Sequence, residues 1–325
     1  MGRNQARLID KTFLSLDNAE ERGLIHRDYI AHVFRWTHVV KYLAQKHRYQ
    51  DAVVLDVGCG KEMPLAKTMY VNKFTPKYYV GVDANKFDIP EMLQGKKIPI
   101  KAWAETDFCA LETSDVCDPN LVPPNVVVSY EVIEHVQPEQ CRRMLEHMLK
   151  VTTLDCNYFI STPCWNGEAA ENHINEMTFA ALGSLFEDLG FSIVGVWGTF
   201  ASIRDYKDQL SDWTYYYSGD DPNDGKDINY RTANLRPLFD VLSEYYDSNV
   251  LATIFAPLFP ASSRNCLWQL DRAENHPNYK RRFSKLVDAP TPWTQSASWR
   301  ELAGGEIPTA EKEAAIAAAL EVTGA

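Results

Sequence analysis

The sequence predicts an α/β fold, a seven-stranded and mostly parallel sheet with helices on both faces. Two observations predict it. Short apolar runs rich in β-branched residues alternate with helical stretches, the strand–helix–strand order of a doubly wound domain. The first run, Asp51-Ala-Val-Val-Leu-Asp-Val-Gly-Cys-Gly-Lys61, stops at a carboxylate and a Gly-x-Gly turn. Glycine tolerates positive φ and lets backbone approach a ligand where a Cβ would collide. At the carboxyl end of a strand in an open sheet, such a turn is where nucleotides bind. Asp56, Gly58 and Gly60 are accordingly candidate ligand-holding residues.

Residues 1–50 read as helices ahead of this strand, because Ile30, Val33, Phe34, Thr37, Val40, Lys41 and Ala44 recur near a 3.6 period. His32, His38 and His47 lie along them as surface or half-buried histidines. Pro64 to Met69 forms a short crossover helix to the second strand, Tyr79-Val-Gly-Val-Asp83. Asp83 ends that strand where an acid accepts hydrogen bonds from both ribose hydroxyls of an adenosine. A third segment, Ile98 to Thr106, leads into Asp107-Phe108, an acid for an adenine edge and a ring for its face. Residues 109–124 read as a loop, and the fourth strand, Asn125 to Tyr130, runs into Glu131-Val-Ile-Glu-His135.

Pro138 to Val151 is an amphipathic helix, with Cys141, Met144, Leu145, Met148 and Leu149 on one face. Asn157 to Ser161 is the fifth strand, followed by Thr162-Pro163. A helix then runs to Leu189 and stops at Gly190, and Phe191 to Phe200 forms the sixth strand. The last strand is Arg264 to Arg272. Residues 51–204 and 264–272 thus form the core, interrupted by an insertion at 205–263. The insertion carries an aromatic cluster (Trp213, Tyr215, Tyr216, Tyr217), a polar loop from Ser218 to Asp227 and a helix from about Leu235 to Phe255. Because the sixth strand ends on the ligand face, the insertion is placed to serve as a lid or substrate element. Residues 273–325 form a tail that ends in a helix, Glu311 to Leu320.

With these four motifs in order, the chain from about Val53 to Phe200 resembles the class I S-adenosylmethionine-dependent methyltransferases, whose fold is Rossmann-like. The resemblance implies S-adenosyl-L-methionine as cofactor. The glycine loop and Glu131 would hold its methionine portion, Asp83 its ribose, and Asp107 and Phe108 its adenine. The family's first loop usually reads Asp-x-Gly-x-Gly-x-Gly, and Glu62 occupies its last position here. A carboxylate is unwelcome against a pyrophosphate, which opposes a dinucleotide; S-adenosylmethionine has no phosphate, so Glu62 is tolerable if its side chain turns outward.

Glu131-x-x-Glu134-His135 is common in small-molecule members of the family, where it often only caps a helix. It is also similar to the divalent-metal motif of ubiquinone-pathway O-methyltransferases and small-RNA 2′-O-methyltransferases. Two readings stay open. In one, Glu131, Glu134, His135 and His173 bind Mn²⁺ or Zn²⁺ in preference to Mg²⁺, and the ion acidifies the acceptor hydroxyl. In the other, His135 is a metal-free general base, with Glu134 and His173 also near the acceptor. Pro163-Cys164 follows the fifth strand, whereas the nucleophilic Pro-Cys of cytosine-C5 enzymes follows the fourth. Ser129-Tyr-Glu131 lacks the Asp/Asn-Pro-Pro-Tyr/Phe signature of amino-methylating DNA enzymes.

The expected function is O- or N-methylation of a small molecule. The alternatives are a nucleic-acid methyltransferase, acting on RNA or a modified nucleotide, and a non-catalytic S-adenosylmethionine-binding regulator. A formal net charge of −11 opposes approach to a polyphosphate backbone. The seven cysteines contain no Cys-x-x-Cys pair, which points to a reducing cytoplasm rather than a disulfide framework. No run approaches the ~18–20 apolar residues of a membrane span.

Overall fold

The computed structural model describes residues 27–46, 50–95, 98–165, 169, 172–201, 213–216, 230–233, 241–242, 244–245 and 248–283. Strands β1 (Val53–Val57), β2 (Tyr78–Val82), β3 (Ile100–Trp103), β4 (Val126–Tyr130), β5 (Asn157–Pro163), β6 (Phe191–Phe200) and β9 (Asn265–Arg272) form one sheet in the order β3-β2-β1-β4-β5-β9-β6. Strands β1 to β5 pair in parallel, and β9 runs antiparallel between β5 and β6. The strand order reverses between β1 and β4, which is the switch point where α/β sheets bind ligands.

Period-2 alternation divides the strands between two apolar layers. Val54, Val126, Val128 and Phe159 face α1 (Arg27–Gln45) and α2 (Pro64–Val71), which contribute Trp36, Val39, Leu43, Leu65 and Met69. Leu55, Val57, Val127, Tyr158 and Ile160 face α4 (Pro138–Val151) and α5 (Phe179–Asp188), which contribute Met144, Leu145, Met148, Leu182 and Phe186. Pro138 opens α4, and Lys150 lies in its last turn, where a cation suits the dipole. Arg272 at the end of β9 donates to the Leu149, Thr152 and Thr153 carbonyls and so closes that helix. Thr178 caps α5 by accepting from the Ala181 amide at 3.2 Å.

The expected boundaries shift in several places, and the fifth strand runs on through Thr162 to Pro163. The third strand is shorter, since Glu105 has φ 50° and ends the extended backbone. Within the expected loop at 109–124, Thr113–Val116 forms one helical turn, α3, closed by reciprocal Glu112–Asp115 capping. Part of the aromatic cluster is extended: β7 (Trp213–Tyr216) and β8 (Tyr230–Ala233) pair antiparallel. Tyr217 and the Ser218–Asp227 loop lie outside the described residues, as do 235–240, 243 and 246–247 of the expected helix. Its carboxyl half is helical as α6 (Ser248–Phe255), where Leu251 and Ala252 pack with Ala201, Ala256 and Phe259. The expected terminal helix and residues 1–26 also lie outside the described residues. Among the described residues, no helix is long and apolar enough to cross a membrane.

Candidate active site

The carboxyl ends of β1, β2 and β4 open into one cavity of about 900 Å³. Gly58 and Gly60 line it with φ of 74° and 69°, the left-handed conformations that favour glycine. The loop is tied down, because the Gly58 and Cys59 amides donate to the Val82 carbonyl at 2.8 and 3.1 Å. A Cβ on Gly58 would lie 2.1 Å from Val132 Cγ2, whereas one on Gly60 meets nothing within 4 Å. A larger residue at position 58 therefore collides with the protein itself.

Asp83 is preset by donors. Its Oδ2 accepts from the Gly60 amide at 2.9 Å, and its Oδ1 accepts from the Asn85 amide and side chain at 2.8 and 3.0 Å. Oδ2 thus keeps room for a ligand hydroxyl. Asp56 lies beneath the glycine loop and accepts from the Tyr79 hydroxyl. Burial pushes its carboxyl up to about 7, with the Asp83 charge adding to the rise. Asp107 accepts from the Cys109 amide at 2.9 Å, and Phe108 packs edge-on against His147, so the first turn after β3 holds both on the cavity wall. Glu62 is among the residues that line the cavity, and its carboxylate is ion-paired with Lys67 Nζ at 2.6 Å.

Across the cavity stands the β4 loop. Glu131 has φ 58°, a left-handed conformation that costs a non-glycine residue on the order of 1–2 kcal/mol. Its carboxylate accepts from Arg35 Nη1 and Ser161 Oγ, each at 2.7 Å, and from Asn265 Nδ2 at 2.9 and 3.0 Å. His135 lines the cavity, and its Nδ1 meets the Asn172 carbonyl at 2.9 Å. That carbonyl can only accept, so the ring proton sits on Nδ1 and the lone pair on Nε2. Burial is the largest influence on His135 and keeps it neutral to lower pH than an ordinary histidine.

Glu134 is buried behind His135; Thr162 donates to Oε2 at 3.0 Å, while Oε1 has no hydrogen-bond partner among the described residues. Burial, reinforced by Glu131, raises its carboxyl well above the usual range. His173 stands edge-on to His135 with centroids 4.7 Å apart, and its Nδ1 bonds Glu176. Ligand-type atoms of Glu134, His135 and His173 all lie within 4.8 Å of one another. Glu131 is outside that cluster, drawn off by Arg35 and Asn265. Cys164 is buried, and the cavity wall does not include it.

The sequence reading missed Arg35, Ser161 and Asn265. Each carries a legible signal: a lone charge between Phe34 and Trp36, and polar residues at the ends of apolar strands.

A family model described as a methyltransferase domain matches residues 29–196. Among solved structures, magnesium protoporphyrin IX methyltransferase from Synechocystis PCC 6803 is 18% identical, covers 52% of this chain and 76% of its own, and has a TM-score of 0.38. The 1,6-didemethyltoxoflavin-N1-methyltransferase of Burkholderia thailandensis is 12% identical, with coverage of 84% and 91% and a TM-score of 0.42. The methyltransferase domain of a bacterial enzyme named CtHen1 is 19% identical, with coverage of 52% and 90% and a TM-score of 0.37. No curated protein matches. The family match spans more than half of the chain and includes every motif on the cavity wall, so the chain belongs to the methyltransferase-domain family and is a class I, S-adenosylmethionine-dependent methyltransferase.

Proposed function

We propose that this methyltransferase methylates an oxygen or nitrogen of a small-molecule acceptor, with His135 as the general base. The observation that carries the proposal is one cavity walled by Gly60, Asp83 and Phe108 on one side and by His135 on the other. Asp83 would take the ribose, Asp107 and Phe108 the adenine, and the glycine loop the methionine portion. The bound donor supplies a methyl group on a good leaving group. The protein's tasks are in-line positioning and removal of the acceptor proton. His135 suits the second, because Asn172 holds its proton on Nδ1 and leaves Nε2 basic. The net charge of −11 favours a small acceptor over RNA. Seven free thiols suit a reducing cytoplasm. Isothermal titration with S-adenosylmethionine, followed by an isotopically labelled donor in cell extract, tests the proposal; it fails if no labelled product beyond solvent background forms.

A second reading uses the same residues with a divalent ion. The orphaned Glu134 Oε1, His135 Nε2 at 3.8 Å from it, and His173 favour this reading. The donor set fits Mn²⁺ or Zn²⁺ better than Mg²⁺, and Glu176 on His173 Nδ1 would fix that ring's tautomer. Such an ion would act as a Lewis acid on the acceptor oxygen. Full turnover in excess chelator, with no metal by elemental analysis, eliminates it. The insertion at 205–263 is proposed as the acceptor-recognition element, supported by its place after the carboxyl end of β6.

A further inference from the structure

We infer that Arg35 is a positioning residue that masks Glu131, holding its carboxylate fixed and electrically neutralised on the wall of the donor cavity. The inference rests on the donor assignment above and adds to it a residue outside every motif. Arg35 comes from α1, is 2% exposed, and is not itself part of the cavity wall. Its Nη1 reaches Glu131 at 2.7 Å, Ser161 Oγ at 3.0 Å and Asn265 Oδ1 at 3.1 Å. Its Nη2 meets His32 Nδ1, and because a guanidinium only donates, that nitrogen carries no proton. Arg35 and Glu131 therefore form a pair of opposite charges, with the His32 ring, Ser161 and Asn265 as polar partners of the pair. A strained left-handed residue persists only where its surroundings over-determine it, and three elements grip this one carboxylate.

Cancellation has a consequence for the reaction. Methyl transfer disperses the positive charge of the sulfonium, so an unmasked carboxylate nearby would favour the ground state over the transition state. An ion pair with buried arginine leaves Glu131 as a shaped wall without that attraction. The masking also explains why Glu131 stands apart from Glu134, His135 and His173.

The experiment compares affinities for S-adenosylmethionine and S-adenosylhomocysteine, which differ at sulfur in one methyl group and one charge. Titrations are run in EDTA on the full chain. Arg35→Met should shift the affinity ratio about tenfold towards the cationic donor, through an exposed unit charge at short range. Arg35→Lys should keep the wild-type ratio. Glu131→Gln, which leaves Arg35 uncompensated, should shift the ratio the other way and provides an arm that survives if Arg35→Met does not fold. The double variant should return to the wild-type ratio. Equal weakening of both ligands, with the ratio unchanged in Arg35→Met and Glu131→Gln, overturns the inference and leaves Arg35 a structural residue or a binder of the shared amino-acid portion. If the wild type binds neither ligand, the donor assignment itself fails and the masking with it.

Discussion

Asp83 accepts three hydrogen bonds before any ligand arrives, so its geometry is prepaid by the loop that surrounds it. Asp83→Ala removes a charged acceptor and should weaken S-adenosylmethionine binding by ~1.5–3 kcal/mol. Calorimetric titration reads this directly, and an unchanged dissociation constant sinks the ribose role. Asp56 makes a different case. Its carboxyl titrates at about 7 in the fold against an ordinary 3.8. The unfolded chain therefore holds fewer protons between those values, and this group's contribution to stability falls as pH rises through the window. Asp56→Asn lacks the titration. Its stability relative to wild type should climb between pH 4 and pH 7, by at most about 4 kcal/mol. A constant difference across that range in denaturant melts would refute the buried-acid account. Both acids were legible in sequence as strand-terminal carboxylates. What was hidden is that the Tyr79 hydroxyl bonds one and the Gly60 amide the other, since pairings 23 residues apart depend on strand register.

At the scale of elements, α1 is more than a cover. Its apolar face reads from a 3.6 period, yet Arg35 was invisible as a partner of Glu131, which lies 96 residues away. Only the packing of α1 across the sheet brings them together. The insertion behaves oppositely: its place in the chain is plain, while its described pieces are a hairpin and a helix that sequence periodicity only half located. The cavity wall is drawn from residues between His32 and Met144. Replacing residues 205–262 by a short Gly-Ser hairpin should therefore leave the S-adenosylmethionine dissociation constant within about threefold. It should lower thermal stability, because Ala201 loses Leu251, Ala252 and Phe259. A large loss of donor affinity in a folded variant would place the insertion in the donor site, against its proposed role with the acceptor.

For the whole molecule, the order of apolar strands specifies the sheet, and β9 is the instructive exception. Local pattern marks Asn265–Arg272 as a strand but not its slot between β5 and β6, which depends on antiparallel pairing to both. That slot carries Asn265 to the edge where Ser161 and Glu131 meet it, so the topology completes the site. The cavity itself spans the two apolar layers: Trp36, Cys59 and Leu65 belong to one, Phe108 and Met144 to the other. A ligand there bridges both layers and should stabilise the core as a unit. At a concentration of S-adenosylhomocysteine 100 times its dissociation constant, linkage gives about 2.7 kcal/mol. For a domain of this size that corresponds to a rise in Tm of ~5–10 °C. Scanning calorimetry should show one shifted transition in the wild type. In Asp83→Ala at the same ligand concentration the shift should be smaller, since a larger dissociation constant lowers the saturation term. A wild-type transition that does not move, or a split in which only part of the unfolding heat shifts, would contradict a ligand site shared by both layers.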